Sequence, residues 1–68
     1  MAETNVETQP LALPGRVAKY LNMTEGALAQ LRYTGRGPKF IKISGRAIRY
    51  KWLDVYEWVD NRTRERTD

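Results

Sequence analysis

Apolar positions change their period twice along this chain, and each change marks an element. Leu13, Val17, Ala18 and Leu21 follow helical spacing around Pro14. A proline is tolerated in a first turn because its missing N–H would have no partner there. The spacing predicts a first helix over 14–21, with Arg16 and Lys19 outward and Gly15 weakening the first turn. Asn22 is a residue type that accepts a left-handed helix stop, and Met23 then returns toward the core. Thr24 supplies an N-cap hydroxyl, and Glu25 places negative charge at the positive end of the next helix. Leu28 and Leu31, with Ala27 beside them, form the inner edge of a second helix over 25–33. Two short helices joined by a three-residue turn make a helix-turn-helix unit.

Gly35-Arg36-Gly37-Pro38 cannot continue a helix, and the period then shifts to two. Ile41 and Ile43 alternate with Lys42; Ile48 and Tyr50 alternate with Arg49. Strands over 40–43 and 47–50 are expected, joined through Ser44-Gly45-Arg46. The alternation implies that Ile41, Ile43, Ile48 and Tyr50 share an inner face and that the cations share the outer one. Phe40 falls out of step with Ile41 and Ile43 and is expected to pack under the Gly-Pro loop. Trp52, Val55, Tyr56 and Val59 recur at i, i+3, i+4 and i+7, which predicts a third helix over 52–61 with Trp58 widening its apolar side. Asp54, Glu57 and Asp60 line the opposite side. The predicted fold is mainly α with a small β-hairpin: a winged helix-turn-helix of three helices plus a two-stranded wing.

Sixty-eight residues support one domain at most. Residues 1–10 are polar and aperiodic and are expected to form a disordered N-terminal arm. The domain is expected over 11–61, and 62–68 as a basic C-terminal tail whose role is open between fraying and a further contact surface. Without cysteine or histidine, neither a disulfide nor a structural zinc staples so small a core. No nucleophile–base pair and no glycine-rich loop with phosphate-cradling spacing occurs, so no enzymatic activity, cofactor or small-molecule substrate is expected. The chain shows no apolar run of membrane-spanning length, and residues 1–10 show no signal-peptide pattern. A cytoplasmic location is expected.

Charge sharpens the picture. From Arg32 to Lys51 stand seven cations (Arg32, Arg36, Lys39, Lys42, Arg46, Arg49 and Lys51) and no acid. A merely soluble surface mixes both signs, whereas a one-sign stretch suits a polyanion.

The run Gly35…Gly37-Pro38-Lys39-Phe40-Ile41-Lys42-Ile43-Ser44-Gly45-Arg46-Ala47-Ile48-Arg49-Tyr50, followed by Asp54-Val55…Trp58-Val59, resembles the excisionase-like winged-helix family. That family is related to the DNA-binding domains of MerR-type regulators and to AlpA-type phage regulators. The similarity extends over roughly Leu11 to Asn61 and is most specific in the wing. It implies a recombination directionality factor that binds attachment-site DNA cooperatively, bends it and directs a phage integrase toward excision. The chain departs from the family pattern at Leu13, where a hydroxyl or acidic cap is usual, and at Gly15, where a glutamate is usual. It departs again at Glu25, Gly26 and Ala29, where arginines are frequent.

The candidate DNA-reading face of the second helix consists of Thr24, Glu25, Gly26, Ala29, Gln30 and Tyr33. Gln30 suits adenine and Glu25 the cytosine amino group, while a solvated face with a capping Thr24 remains the plain alternative. The candidate wing and phosphate contacts are Arg32, Arg36, Lys39, Lys42, Ser44, Gly45, Arg46 and Arg49. Arg46 at the hairpin tip suits a minor groove, and Gly45 lets the backbone approach closely. Tyr20, Tyr50, Trp52 and Trp58 are expected in the core, against a second reading as stacking platforms for single-stranded nucleic acid. Two other functions stay open: a transcriptional regulator on the same fold, and a protein–protein adaptor that uses the basic wing.

Overall fold

A computed structural model describes residues 10–65. Residues 1–9 of the arm expected over 1–10, and the last three residues of the expected tail, lie outside these. Three helices and a two-stranded antiparallel hairpin follow one another: α1 (Pro14–Tyr20), α2 (Glu25–Thr34), β1 (Ile41–Ser44), β2 (Ala47–Arg49) and α3 (Trp52–Glu65). This is a small winged-helix fold, mainly helical. None of the helices among the described residues is long and apolar enough to cross a membrane.

The turn between α1 and α2 is set by its local chemistry. Asn22 takes the left-handed conformation at φ 62°, and Met23 N–H bonds back to the Ala18 carbonyl at 2.9 Å. This is the geometry that closes a helix C-terminus. Thr24 then caps α2, its Oγ1 accepting from Ala27 N–H at 3.0 Å. At the other end Gly35 lies at φ 73°, and Arg36 N–H reaches the Leu31 carbonyl at 3.0 Å. Both helix ends expected from single residues are therefore present. Leu13 caps α1 with its backbone alone, its carbonyl accepting from Arg16 and Val17 N–H.

The core is small. Ala12, Val17, Ala18, Leu28, Tyr50 and Val55 are buried, with Leu21, Met23, Ile48 and Trp52 packed against them. Ala12 joins the sheet side as a single bridge residue. Its N–H donates to the Tyr50 carbonyl (2.7 Å) and its carbonyl accepts from Tyr50 N–H (2.9 Å). The apolar triplet Leu11-Ala12-Leu13 thus contributes one strand-like residue ahead of α1. Leu13, which precedes a proline, is held extended (φ −74°, ψ 149°) as the proline ring demands.

The hairpin register corrects the expected facing of the wing. Ile41 pairs with Arg49 and Lys42 with Ile48. Residues directly opposite in an antiparallel pair share a face. Tyr50 and Ile48 face the core, so Lys42 and the preceding Phe40 fall on their side. Ile41 falls on the side of Arg49. The alternation predicts the facing of β2 and gives β1 the opposite phase from the one observed. Phe40 accounts for this: its ring lies 6.4 Å from that of Tyr50, in step with the core face. A register irregularity between Lys42 and Ser44 then bulges the strand at Ile43, which is 52% exposed rather than interior. The strands themselves sit close to the expected spans, at 41–44 and 47–49.

The aromatic residues also divide differently from the expectation. Tyr50 is fully buried, but Tyr20 is half exposed. Tyr20 forms a triad with Trp52 and Tyr56, with ring centroids 5.6–5.8 Å apart, between α1 and α3. Trp58 is half-buried, and its indole N–H donates to the Arg36 carbonyl at 2.9 Å. α3 continues past 61 to Glu65, so residues 62–65 of the expected tail are helical.

Two glycines on α2 and its following loop should respond oppositely to an added methyl. A Cβ at Gly37 would stand 2.9 Å from the Cβ of Leu31, whereas at Gly26 the nearest atom is Thr24 Oγ1 at 3.9 Å. Gly37→Ala is expected to destabilise the fold by about 1–3 kcal/mol, as overpacking does. Gly26→Ala is expected to stabilise it by about 0.4–1 kcal/mol through the unfolded chain. Urea unfolding monitored by tryptophan fluorescence checks both.

Candidate nucleic-acid interface

α2 offers its outer face at Gly26, Gln30 and Tyr33, which recur at i, i+4 and i+7 and are all exposed. Tyr33 is the most exposed large hydrophobic side chain among the described residues, at 80%. Thr24 is exposed, and its hydroxyl oxygen is used by the cap while its O–H remains a donor. Ala29 is half-buried and lies at the edge of this face rather than on it. Glu25 turns back toward α1: its Oε2 lies 2.7 Å from where a Cβ on Gly15 would stand. The departures at positions 15 and 25 are thus one local event, because the Glu25 carboxylate occupies the space that a side chain at 15 would need. The same placement brings negative charge beside the first turn of α1.

The wing displays its cations unevenly. Arg36, Lys39, Lys42 and Arg46 are exposed, as are Ser44 and Gly45. Gly45 lies at φ 50° as the first residue of the two-residue link Gly45-Arg46 between the paired Ser44 and Ala47, a position that glycine fills without strain. Arg46 therefore stands at the extreme of the hairpin. Lys42 and Arg49, expected on a common outer face, lie on opposite faces. Arg49 is half-buried and donates to the neighbouring Ile48 carbonyl at 2.8 Å. Ile43, expected in the interior, is exposed and lies near Arg46 at the tip. Strict alternation hides it, because a bulge leaves no mark in the hydrophobic period.

Arg32 has a different situation from the other cations. Its guanidinium donates to the buried Tyr50 hydroxyl at 3.0 Å and lies over the Phe40 ring, 5.8 Å from its centroid. It is half-buried. It ties the C-terminal part of α2 to the base of the hairpin, and so sets where the wing stands relative to the helix. No signal in the sequence separates it from the exposed arginines.

What the arrangement offers is a set of exposed donors on one helix and one hairpin. A helix face about 10–12 Å across fits a major groove, and a glycine-opened arginine tip fits a narrower one. Among the described residues no group of Asp and Glu side chains gathers in a metal-binding arrangement. The chain matches no known family model, and comparison with curated proteins finds no match.

Tyr50→Phe removes only the hydroxyl that Arg32 grips and is expected to cost about 1.5–3 kcal/mol, as for a hydrogen bond to a charged group. Arg32→Ala should cost at least as much, since Phe40 also loses its cover. Chemical denaturation of the two variants checks this, and an unchanged midpoint for both would show that the contact carries no stability.

Proposed function

We propose that this protein binds duplex DNA, with α2 in the major groove and the wing tip in the adjacent minor groove. The observation that carries the reading is the exposed cationic run of Arg36, Lys39, Lys42 and Arg46 beside the exposed Gly26–Gln30–Tyr33 face, within a stretch that holds no acid. Phosphate contacts position such a module, and side chains on α2 read base edges. Gln30 is the residue whose amide suits bidentate pairing with adenine. Arg46 enters the minor groove, and Ile43 beside it gives the tip an apolar surface for sugar edges. Thr24 and the free N–H groups of the first turn of α2 meet a phosphate.

The finer reading is a phage excisionase, a recombination directionality factor acting with an integrase. It rests on the resemblance of the wing sequence and of the Asp54-Val55…Trp58-Val59 pattern to that family. A single module this small contacts little DNA, so adjacent copies bind cooperatively and the bend they impose is offset by their combined contacts. Excision of a prophage attachment-site substrate by its integrase, with and without this protein, separates this role from that of a transcriptional regulator.

Two measurements test the binding mode. With some five to seven phosphates neutralised, log K should fall against log salt with a slope of about −5 to −6, at ~−0.9 per phosphate. A slope shallower than about −2 would remove the electrostatic clamp. Arg46→Ala should lose about 1–3 kcal/mol on the preferred site and less on random duplex. Lys42→Ala should weaken both equally, as a phosphate contact does.

A further inference from the structure

The C-terminal turns of α3 carry a feature that the groove-reading face does not include. Trp58 and Arg62 stand four residues apart on one helix face, and the Arg62 guanidinium carbon lies 4.7 Å from the centroid of the Trp58 ring. The indole N–H of the same Trp58 donates to the Arg36 carbonyl at 2.9 Å. One aromatic side chain therefore anchors the backbone of one exposed arginine and supports the guanidinium of another. Arg36 directly follows Gly35, the C-cap of α2, so the pair lies at the C-terminal end of the helix assigned to the groove.

We propose that Arg36 and Arg62, organised by Trp58, form a second phosphate-binding site that grips the DNA backbone beside the C-terminal end of α2. This rests on the duplex-binding reading above. Stacking against an indole fixes a guanidinium plane while its N–H edge stays open to solvent. Such a fork matches a phosphate bidentately and loses little rotamer freedom on doing so. Of the acids of α3, Glu57 and Asp60 point away from the Trp58–Arg62 stripe by helical spacing, and Asp54 is two turns back from Arg62, about 12 Å along the axis. Glu65 lies on the stripe at the last position of the helix, one turn beyond Arg62 and two beyond Trp58, so the two arginines still outnumber it. An acidic protein segment would also pair with two arginines; the continuity of the patch with α2 and the wing favours a nucleic-acid backbone.

The test uses the full chain and duplex DNA carrying its preferred site. Arg62→Gln should make the salt slope shallower by about 0.9 and weaken matched and random duplex alike, by about fivefold to tenfold at 0.1 M salt. Ethylation of one flanking phosphate should impair the wild-type protein and leave Arg62→Gln unaffected. Arg62→Lys should keep most of the slope. Wild-type binding with an unchanged slope and an unchanged ethylation pattern for Arg62→Gln overturns this site alone, and a lowered melting temperature in that variant would then assign Arg62 to the fold. A wild-type protein that binds no duplex at all overturns the parent reading and this site together.

Discussion

Tyr50 is the residue on which the rest of the structure hangs. Its backbone exchanges two hydrogen bonds with Ala12, its ring is fully buried beside Phe40, and its hydroxyl accepts from Arg32. Those contacts join the segment before α1, the base of the hairpin and the end of α2. A core of six buried residues leaves few alternatives for holding three helices and a wing in one relation. A buried hydroxyl without a partner would be costly, so the position of Arg32 follows from the burial of Tyr50. The charge that looks like a surface feature in the sequence is consumed in orienting α2 and the hairpin relative to one another.

A second anchor works on the other flank. Trp58 holds the loop after α2 through the Arg36 carbonyl and supports Arg62 with its ring. Between them, the side chains of Tyr50 and Trp58 hold the end of α2 and the loop after it with one hydrogen bond each. The aromatic residues in this chain thus do two jobs at once. Their rings supply apolar area that a small domain lacks, and their polar atoms position arginines and backbone. The third aromatic group, the Tyr20–Trp52–Tyr56 triad, instead cements α1 to α3 and leaves part of its surface open.

The division among the cations has a functional consequence. Arg36, Lys39, Lys42 and Arg46 are exposed, while Arg32 and Arg49 are half-buried and bonded to the protein. The exposed group rides on elements that the second group helps to fix. The wing is also less one-sided than its alternation suggests, since Lys42 and Arg49 lie on opposite faces. A hairpin inserted edge-on into a groove meets backbone on both sides, and cations on both faces suit that approach. The outward bulge at Ile43 fits the same picture, because bulges re-aim side chains where a strand meets a ligand.

Local chemistry made much of this legible without coordinates. Thr24, Asn22, Gly35 and Gly45 each act through their own backbone preferences and neighbouring amides, and each sits where its type demands. The helical period of α1 and α3, the order of elements and the cationic stretch follow from spacing and composition alone. What needed the tertiary structure was every relation between segments. The phase of β1 depends on which of Phe40 and Ile41 reaches Tyr50, and alternation cannot decide between two adjacent apolar residues. The bridge at Ala12, the meeting of Glu25 with Gly15, and the capture of Arg32 by Tyr50 and Phe40 all join residues at least eight positions apart in sequence. Periodicity reports only which face of its own element a residue occupies; which partner waits on that face is settled when the elements pack.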